Sequence, residues 1–212
     1  MLPFAVLIGF LVAQHWLVFP ERIDLPLRVL VLSAVLLICS RRVIDLRTSH
    51  TAMSVGLGIA VFAIWVGPDV LFPGYRQHWL FQNPLTGAVN SSLGQDLRHN
   101  PVFLSFRVFR AVLLVPIIEE LFWRAWLMRW LVNPHFERIR LGTFAAGAFW
   151  ITAVLFASEH GPYWEVGLVA GILYNWWMIR TKSLGDCILA HAVTNACLSA
   201  YVIVTAQWQY WL

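Results

Sequence analysis

The stretch Val115-Pro116-Ile117-Ile118-Glu119-Glu120-Leu121-Phe122-Trp123-Arg124 decides the fold class of this chain. It places two adjacent carboxylates and a guanidinium group within the apolar run 102–131, which is long enough to cross a bilayer. A charge at that depth has no bulk water to solvate it, so it needs a partner or a hydrated cavity. Because intramembrane charges are expensive and usually functional, the stretch predicts a membrane protein with a polar site among its helices.

The composition of the whole chain supports this interpretation. Of its 212 residues, 59% are apolar and 12% are charged, and the mean hydropathy is +0.69. These values are typical of polytopic membrane proteins and argue against a soluble domain. The formal charge of +4 does not indicate nucleic acid as a partner, because the basic residues are scattered between apolar runs instead of forming a patch.

Apolar windows of spanning length predict an all-α polytopic membrane helical bundle, with about 7 (6 to 8) transmembrane helices around an intramembrane polar cavity. Two windows are short, so they either borrow flanking residues or do not span fully. We treat residues 1–212 as a single membrane domain, with N-terminal helices and a long polar loop in 1–101 and the helical core with the candidate site in 102–206. The windows are 2–19, 27–39, 52–72, 102–131, 143–159, 165–179 and 184–206.

The basic residues also predict the orientation of the chain. With alternating spans, eight of these residues fall on one side and four on the other. The positive-inside rule then places the richer side, and the N-terminus with it, in the cytoplasm. The richer side holds Arg41, Arg42, Arg47, Arg129, Arg138, Arg140, Arg180 and Lys182, and the poorer side holds Arg22, Arg28, Arg76 and Arg98.

Helical spacing separates the roles of the two carboxylates. Glu120 and Arg124 are four residues apart and share a helix face, whereas Glu119 points about 100° away. We therefore expect Glu120 and Arg124 to form a structural ion pair and Glu119 to be freer to take a proton. Pro116 deprives the Val112 carbonyl of its usual helical hydrogen bond, so a kink beside the carboxylates is expected.

Two arginines precede this stretch in the same apolar run. Arg107 and Arg110 lie one turn apart in its outer half. Long basic side chains near a helix end commonly extend to the lipid headgroups, and we expect that here. The other role, holding a substrate carboxylate, has no support in the sequence alone.

Two further polar segments end or interrupt apolar runs. The first is Phe156-Ala157-Ser158-Glu159-His160-Gly161-Pro162, and the second is His191-Ala192-Val193-Thr194-Asn195, with its His and Asn on one helix face. A carboxylate base, two imidazoles and an amide in three helices supply what peptide hydrolysis needs: a base for water and donors for the oxyanion. Straight helices would leave His160 towards the outer face and His191 towards the inner face, whereas bent or re-entrant segments at Pro116 and Gly161-Pro162 would bring them to a common depth.

These residues resemble the motifs of the CPBP family of glutamate-dependent intramembrane proteases, which includes the CAAX prenyl endopeptidase. The resemblance covers roughly residues 102–201, about half the chain, and depends on three motifs in the family's order. The motifs are EExxxR at Glu119, Glu120 and Arg124, FxxxH at Phe156 and His160, and HxxxN at His191 and Asn195.

The resemblance implies a role for each of these residues. Glu119 and His160 would activate the attacking water, and His191 and Asn195 would stabilise the tetrahedral oxyanion. The supporting residues would be Glu120, Arg124 and Phe156.

The resemblance also implies the reaction and the location. It implies an intramembrane endopeptidase that hydrolyses a bond near the C-terminus of a membrane-associated or lipidated protein, with no cofactor and no metal. The sequence VPIIEELFWRAWLMR is also similar to the bacterial CAAX-protease-related subgroup of C-terminal sorting systems, which implies a bacterial inner (plasma) membrane location. The expected partners are a membrane protein or lipidated peptide substrate and the lipid bilayer. No pattern indicates an oligomeric state.

Two other hypotheses remain open from the residues alone. Glu119, His160 and His191 form a plausible ligand set for zinc, which would make the protein a membrane metalloprotease, although no HExxH helix is present. Alternatively, the same polar groups serve packing or a proton relay in a non-enzymatic scaffold or proton-coupled carrier. Substitution of Glu119 would distinguish an enzyme from a scaffold.

Overall fold

The computed structural model describes residues 1–13, 16, 19–89, 91 and 93–211, without the side chain of Glu21. This part of the chain is all-α, with seven helices joined by loops and short 3₁₀ turns. The helices are α1 (Leu2–Ala13), α2 (Glu21–Ser40), α3 (Thr51–Leu71), α4 (Pro101–Trp130), α5 (Ala146–Ser158), α6 (Trp164–Thr181) and α7 (Leu184–Thr205).

The predicted membrane helical fold is confirmed, but fewer helices than expected are long spans. Four helices are long and apolar enough to cross a membrane: α2, α3, α4 and α7. Helices α1 and α5 are apolar but have only 12 and 13 residues. Helix α2 begins six residues before its predicted window, so it does borrow flanking residues. The predicted first window continues to residue 19, where four of its last residues (14, 15, 17 and 18) lie outside the described part.

Polar contacts gather the helix ends at two opposite ends of the bundle. At one end, the Asp186 carboxylate near the start of α7 accepts hydrogen bonds from the backbone N–H groups of Ser49 and His50, just before α3. At the other end, Arg76, after α3, pairs with Asp69 and with Glu165 at the start of α6. Helices α3 and α7 therefore run in the same direction and α6 runs opposite to them, which agrees with the predicted alternation for these three helices.

Helix α4 changes its hydrogen-bonding pattern around Pro116. Residues Arg110–Leu114 are π-helical, and the N–H of Val115 donates to the carbonyl of Arg110 instead of that of Ala111. The next N–H in a π-pattern would come from residue 116, but proline has none. The Ala111 carbonyl is therefore released from the helix, and the Asn195 amide of α7 donates to it at 2.8 Å. The predicted disturbance at Pro116 is a π-segment, a feature that is frequent at functional sites.

Small residues allow the helices to approach closely around this segment. A Cβ atom on Gly58 of α3 would collide with the Ala190 carbonyl oxygen of α7 and lie 2.7 Å from the Cβ of Val193. A Cβ on Gly171 of α6 would lie 3.2 Å from the Ala153 carbonyl oxygen of α5. Such contacts let polar side chains from different helices reach one another without water.

Candidate active site

One cavity of about 810 Å³ joins the residues that the sequence analysis selected from separate helices. Glu119, Phe156, His160, His191 and Asn195 all line it. The predicted convergence of the carboxylate, the two imidazoles and the amide is therefore present in the structure. The wall also contains residues that the sequence analysis did not assign to the site: Trp65, Arg107, Arg110, Glu159 and Tyr174.

A chain of ionisable groups leads from the buried Arg124 through Glu120 and His191 to Glu119 in the cavity wall. Arg124 donates to Glu120 Oε1 at 3.0 Å, and both side chains are completely buried. The same carboxylate oxygen lies 2.9 Å from His191 Nδ1. The other ring nitrogen, Nε2, faces Glu119 Oε2 at 4.0 Å. The ion pair expected from helical spacing is present, and His191 connects it to Glu119.

Glu119 differs from Glu120 in its surroundings. Its side chain is nearly buried, and no described residue donates a hydrogen bond to its Oε2 atom. A buried acceptor without a partner is costly unless water or a ligand reaches it. Since Glu119 faces the cavity, its carboxylate is placed to bind a water molecule there.

Arg124 is held by more than its carboxylate partner. Its Nε atom donates to Asn175 Oδ1 at 3.1 Å, and Asn175 in turn donates to the Phe149 carbonyl of α5. The guanidinium carbon lies 4.6 Å from the centre of the Phe156 ring. Arg124 therefore ties α4, α5 and α6 together, and a buried arginine with these contacts fixes the position of Glu120.

His160 follows the C-terminal end of α5, where its orientation is determined by three contacts. Its Nδ1 atom lies 2.7 Å from the Phe156 carbonyl oxygen, which can only accept, so Nδ1 carries the proton. The Trp65 and His160 rings pack in a T-shaped arrangement, with their centres 5.2 Å apart. A Cβ on Gly167 would lie 3.1 Å from His160 Cγ, so glycine at this position lets the ring lie this close to α6. In the neutral ring, Nε2 is then an acceptor.

Asn195 is only partly available to a substrate. One of its amide N–H groups donates to the Ala111 carbonyl. A side-chain amide has two N–H donors and a carbonyl oxygen, so one donor remains for the cavity. The role of Asn195 thus includes a structural part that the sequence analysis did not predict.

The sequence analysis missed several residues that shape the site. Tyr174 stacks on the His191 ring at 5.1 Å, and its hydroxyl donates to Thr194 at 2.7 Å. Gly167, Gly171 and Asn175 recur every four residues on α6 and face the site residues. This i, i+4 pattern of small and polar residues was a signal in the sequence that could have identified them.

Arg76, in the segment after α3, supports the turn that follows His160. Arg76 donates to the Pro162 carbonyl at 2.7 Å and to Glu165 at 2.6 Å. Its other carboxylate partner, Asp69, accepts from the Tyr210 hydroxyl at 3.0 Å. Burial and the Asp69 carboxylate raise the pKa of Tyr210, so its hydroxyl stays protonated and donates.

Within the described residues, no group of three or more His, Cys, Asp or Glu side chains is arranged to hold a metal ion. Glu119, His160 and His191 share the cavity but do not form such a group.

Comparisons with known proteins agree with the motifs. Residues 101–197 match the family model of the Rce1-like type II CAAX prenyl endopeptidases. The match covers just under half of the chain and includes α4, α5, α6 and the part of α7 with His191 and Asn195. No curated protein and no solved structure matches the chain.

Proposed function

We propose that the protein is a glutamate-type intramembrane endopeptidase, since residues 101–197 match the family model of the Rce1-like type II CAAX prenyl endopeptidases (CPBP family). Its substrate is a membrane-associated or lipidated protein, cut near the C-terminus. The observation that carries this proposal is the single cavity shared by Glu119, His160 and His191. In this cavity, Glu119 Oε2 is an acceptor without a described partner, and His160 Nε2 is a second acceptor. His191, which contacts the Glu120 and Arg124 pair, is a donor. Hydrolysis of an amide requires such acceptors for the water and such a donor for the oxyanion.

In the proposed reaction, a water molecule lies between Glu119 Oε2 and His160 Nε2. Glu119 takes one proton from the water while the water oxygen attacks the carbonyl carbon of the peptide bond. The other O–H of the water donates a hydrogen bond to His160 Nε2, which orients the attack, and this hydrogen stays on the attacking oxygen. The proton on Glu119 then passes to the amide nitrogen, the C–N bond breaks, and a carboxylic acid and an amine are released.

His191 is the donor for the oxyanion in this proposal. Its Nδ1 faces the Glu120 carboxylate, so Nδ1 carries a proton. A second proton on Nε2 makes the ring a donor towards the cavity. The charges of Arg124, Glu120, His191 and Glu119 then sum to zero, which a buried site favours over a net charge. The second N–H of Asn195 is the other donor to the oxyanion.

The experiment that tests the proposal compares cells that contain the wild-type protein with cells that contain Glu119→Gln. An amide has nearly the shape of the carboxylate but cannot take the proton. Mass spectrometry of membrane proteins and peptides is expected to find a C-terminal cleavage product that is present with the wild type and absent with the variant. Glu137→Gln is the matched control, because this residue is exposed in the short 3₁₀ turn Phe136–Arg138, and the product should remain.

Normal turnover by folded, membrane-inserted Glu119→Gln would contradict the proposed mechanism. A non-enzymatic scaffold or carrier would instead show no difference in cleavage products between the two cell populations. Comparable expression and size-exclusion profiles for both proteins ensure that a missing product reflects the chemistry of Glu119.

A further inference from the structure

The two ends of α4 hold their basic side chains differently. Arg107, in the first half of the helix, is buried in the wall of the candidate active site, so the expectation that it extends to the lipid headgroups is wrong. Arg129, near the last residue of α4, lines a separate pocket of about 580 Å³. Three segments of the chain meet around this second pocket, and its lining residues fall mainly within 39–49, 121–141 and 181–185.

Positive side chains dominate the charge of the second pocket. Its lining contains the cations Arg47, Arg129 and Lys182 and one carboxylate, Asp45. Among the described residues, none of these three cations belongs to an ion pair. Asp45 Oδ1 accepts a hydrogen bond from the backbone N–H of Arg47 at 3.0 Å. Glu137, which acts electrostatically on Arg129, is exposed to solvent. The lining therefore has more positive than negative charge.

The third carboxylate at this end of the bundle is already satisfied by donors. Asp186 accepts hydrogen bonds from the backbone N–H groups of Ser49 and His50 and from the Ser54 hydroxyl. The segments 39–51, 129–142 and 180–186, all of which the structure describes, contain eight arginines and lysines but only three carboxylates. The excess of positive charge thus extends beyond the lining to the whole end of the bundle.

Arg129 is held in one orientation at the pocket. Its Nε atom donates to the Ala125 carbonyl, and one terminal nitrogen donates to the Ile139 carbonyl at 3.0 Å. The guanidinium carbon lies 5.2 Å from the centre of the Phe136 ring. A guanidinium group has five N–H donors, so these two bonds leave others for a ligand in the pocket. A fixed guanidinium suits the paired oxygens of a phosphate group.

Apolar residues continue the pocket towards the middle of the membrane. Leu121, Trp126 and Leu141 are part of its lining. Leu121 and Arg129 are eight residues apart on α4, which is about 12 Å of helix. Each headgroup layer of a bilayer is about 5–8 Å thick, so the pocket reaches from this layer into the hydrocarbon. A phospholipid would fill both parts, whereas a soluble anion would fill only the charged part.

We propose that this second pocket binds an anionic phospholipid, with the headgroup phosphate at Arg47, Arg129 and Lys182 and an acyl chain along Leu121 and Trp126. Basic pockets between membrane helices bind such headgroups. The leaflet is the one at this end of the bundle, which the basic residues predict to be cytoplasmic. The bound lipid joins the loop before α3, the end of α4 and the turn between α6 and α7. This inference is independent of the peptidase proposal.

The test measures lipid binding to the purified, delipidated protein by native mass spectrometry. The ligands are phosphatidylglycerol, which is anionic, and phosphatidylcholine, which is zwitterionic, with the same acyl chains. Each basic residue beside an anionic headgroup favours binding by about 5-fold, so phosphatidylglycerol should bind at least about 10-fold more tightly. The double variant Arg47→Gln with Lys182→Gln should lose this preference. Both side chains are exposed, and size exclusion checks that the variant is folded.

The matched control removes two charges at the same end of the bundle but outside the lining. Arg138 and Arg180 are exposed, and the double variant Arg138→Gln with Arg180→Gln should keep the preference. An equal loss in both double variants would overturn the inference, because it would show attraction by diffuse surface charge. Equal affinity of the wild type for the two lipids would also overturn it, and this comparison needs no variant.

A further arm distinguishes a lipid from a soluble phosphate. Glycerophosphoglycerol has the headgroup of phosphatidylglycerol without its acyl chains. It should bind at least about 10-fold more weakly than the lipid, because the apolar part of the pocket stays unfilled. Equal affinity for this compound and the lipid would assign the pocket to a soluble phosphate and overturn the inference.

Discussion

Gly167→Ala tests whether the position of His160 controls the reaction. The added methyl carbon would lie 3.1 Å from His160 Cγ and 3.2 Å from His160 Nδ1. Ordinary carbon contacts lie at about 3.5–4.0 Å, so the ring must move by roughly 0.5 Å. The 2.7 Å contact with the Phe156 carbonyl resists that shift. Displacements of this order cost about 10- to 100-fold in rate when they misplace a catalytic group, and we expect such a loss in kcat.

The same substitution should leave the protein folded. Alanine is favoured over glycine within a helix by about 1 kcal/mol, and this gain offsets part of the ~1–3 kcal/mol cost of overpacking. The thermal unfolding midpoint in detergent should therefore change by only a few degrees. Turnover of the identified substrate, with kcat and KM measured separately, is the assay, and KM should stay close to the wild-type value.

Gly147→Ala is the matched control for this experiment. It adds the same methyl group to the neighbouring helix α5 at a position with no atom within 4 Å, so kcat should equal that of the wild type. Wild-type kcat for Gly167→Ala would refute the role of ring position. An equal loss in both variants would assign the effect to a general change in the helices.

Three other predictions follow from the site. Arg124→Met leaves the buried Glu120 without its cation, which should cost about 3–5 kcal/mol in the free energy of unfolding. Arg138→Met, at an exposed position, should cost little. Chemical unfolding in detergent compares the two, and equal stability would contradict the buried pair. Asn195→Ala should lower kcat by about 10²–10³-fold. It should also destabilise the protein, because the Ala111 carbonyl loses its donor. Unchanged stability would show that Asn195 has no structural role. Turnover should persist in protein that elemental analysis shows to be free of metal, whereas loss of activity with stoichiometric zinc removal would favour the metalloprotease.

Local features of the site were predictable from the sequence because they depend on helical periodicity alone. The Glu120 and Arg124 pair follows from a spacing of four residues on one helix, and the structure contains it. The disturbance at Pro116 follows from the missing N–H of proline. Its form as a π-segment, capped by Asn195 from another helix, depends on packing between helices that no local pattern contains.

The common depth of the two imidazoles was not predictable because it depends on helix length. The apolar window 143–159 predicted a full span, which would carry His160 to the outer face. Helix α5 has only 13 residues, or about 20 Å, and so falls short of a hydrocarbon core of about 30 Å. His160 therefore stays inside the bundle, where it lies 4.7 Å from the Phe156 ring, and the same ring lies 6.1 Å from His191.

The central claim is that Glu119 and His160 act on the same water molecule. A double-mutant cycle of kcat with Glu119→Gln, His160→Ala and the combined variant measures this directly. Each single change should lower kcat by about 10²–10⁴-fold, and the combined variant should be no slower than the slower single variant, because both changes disable one step. Losses that multiply in the combined variant would contradict the account, since they would mean that the two residues act independently.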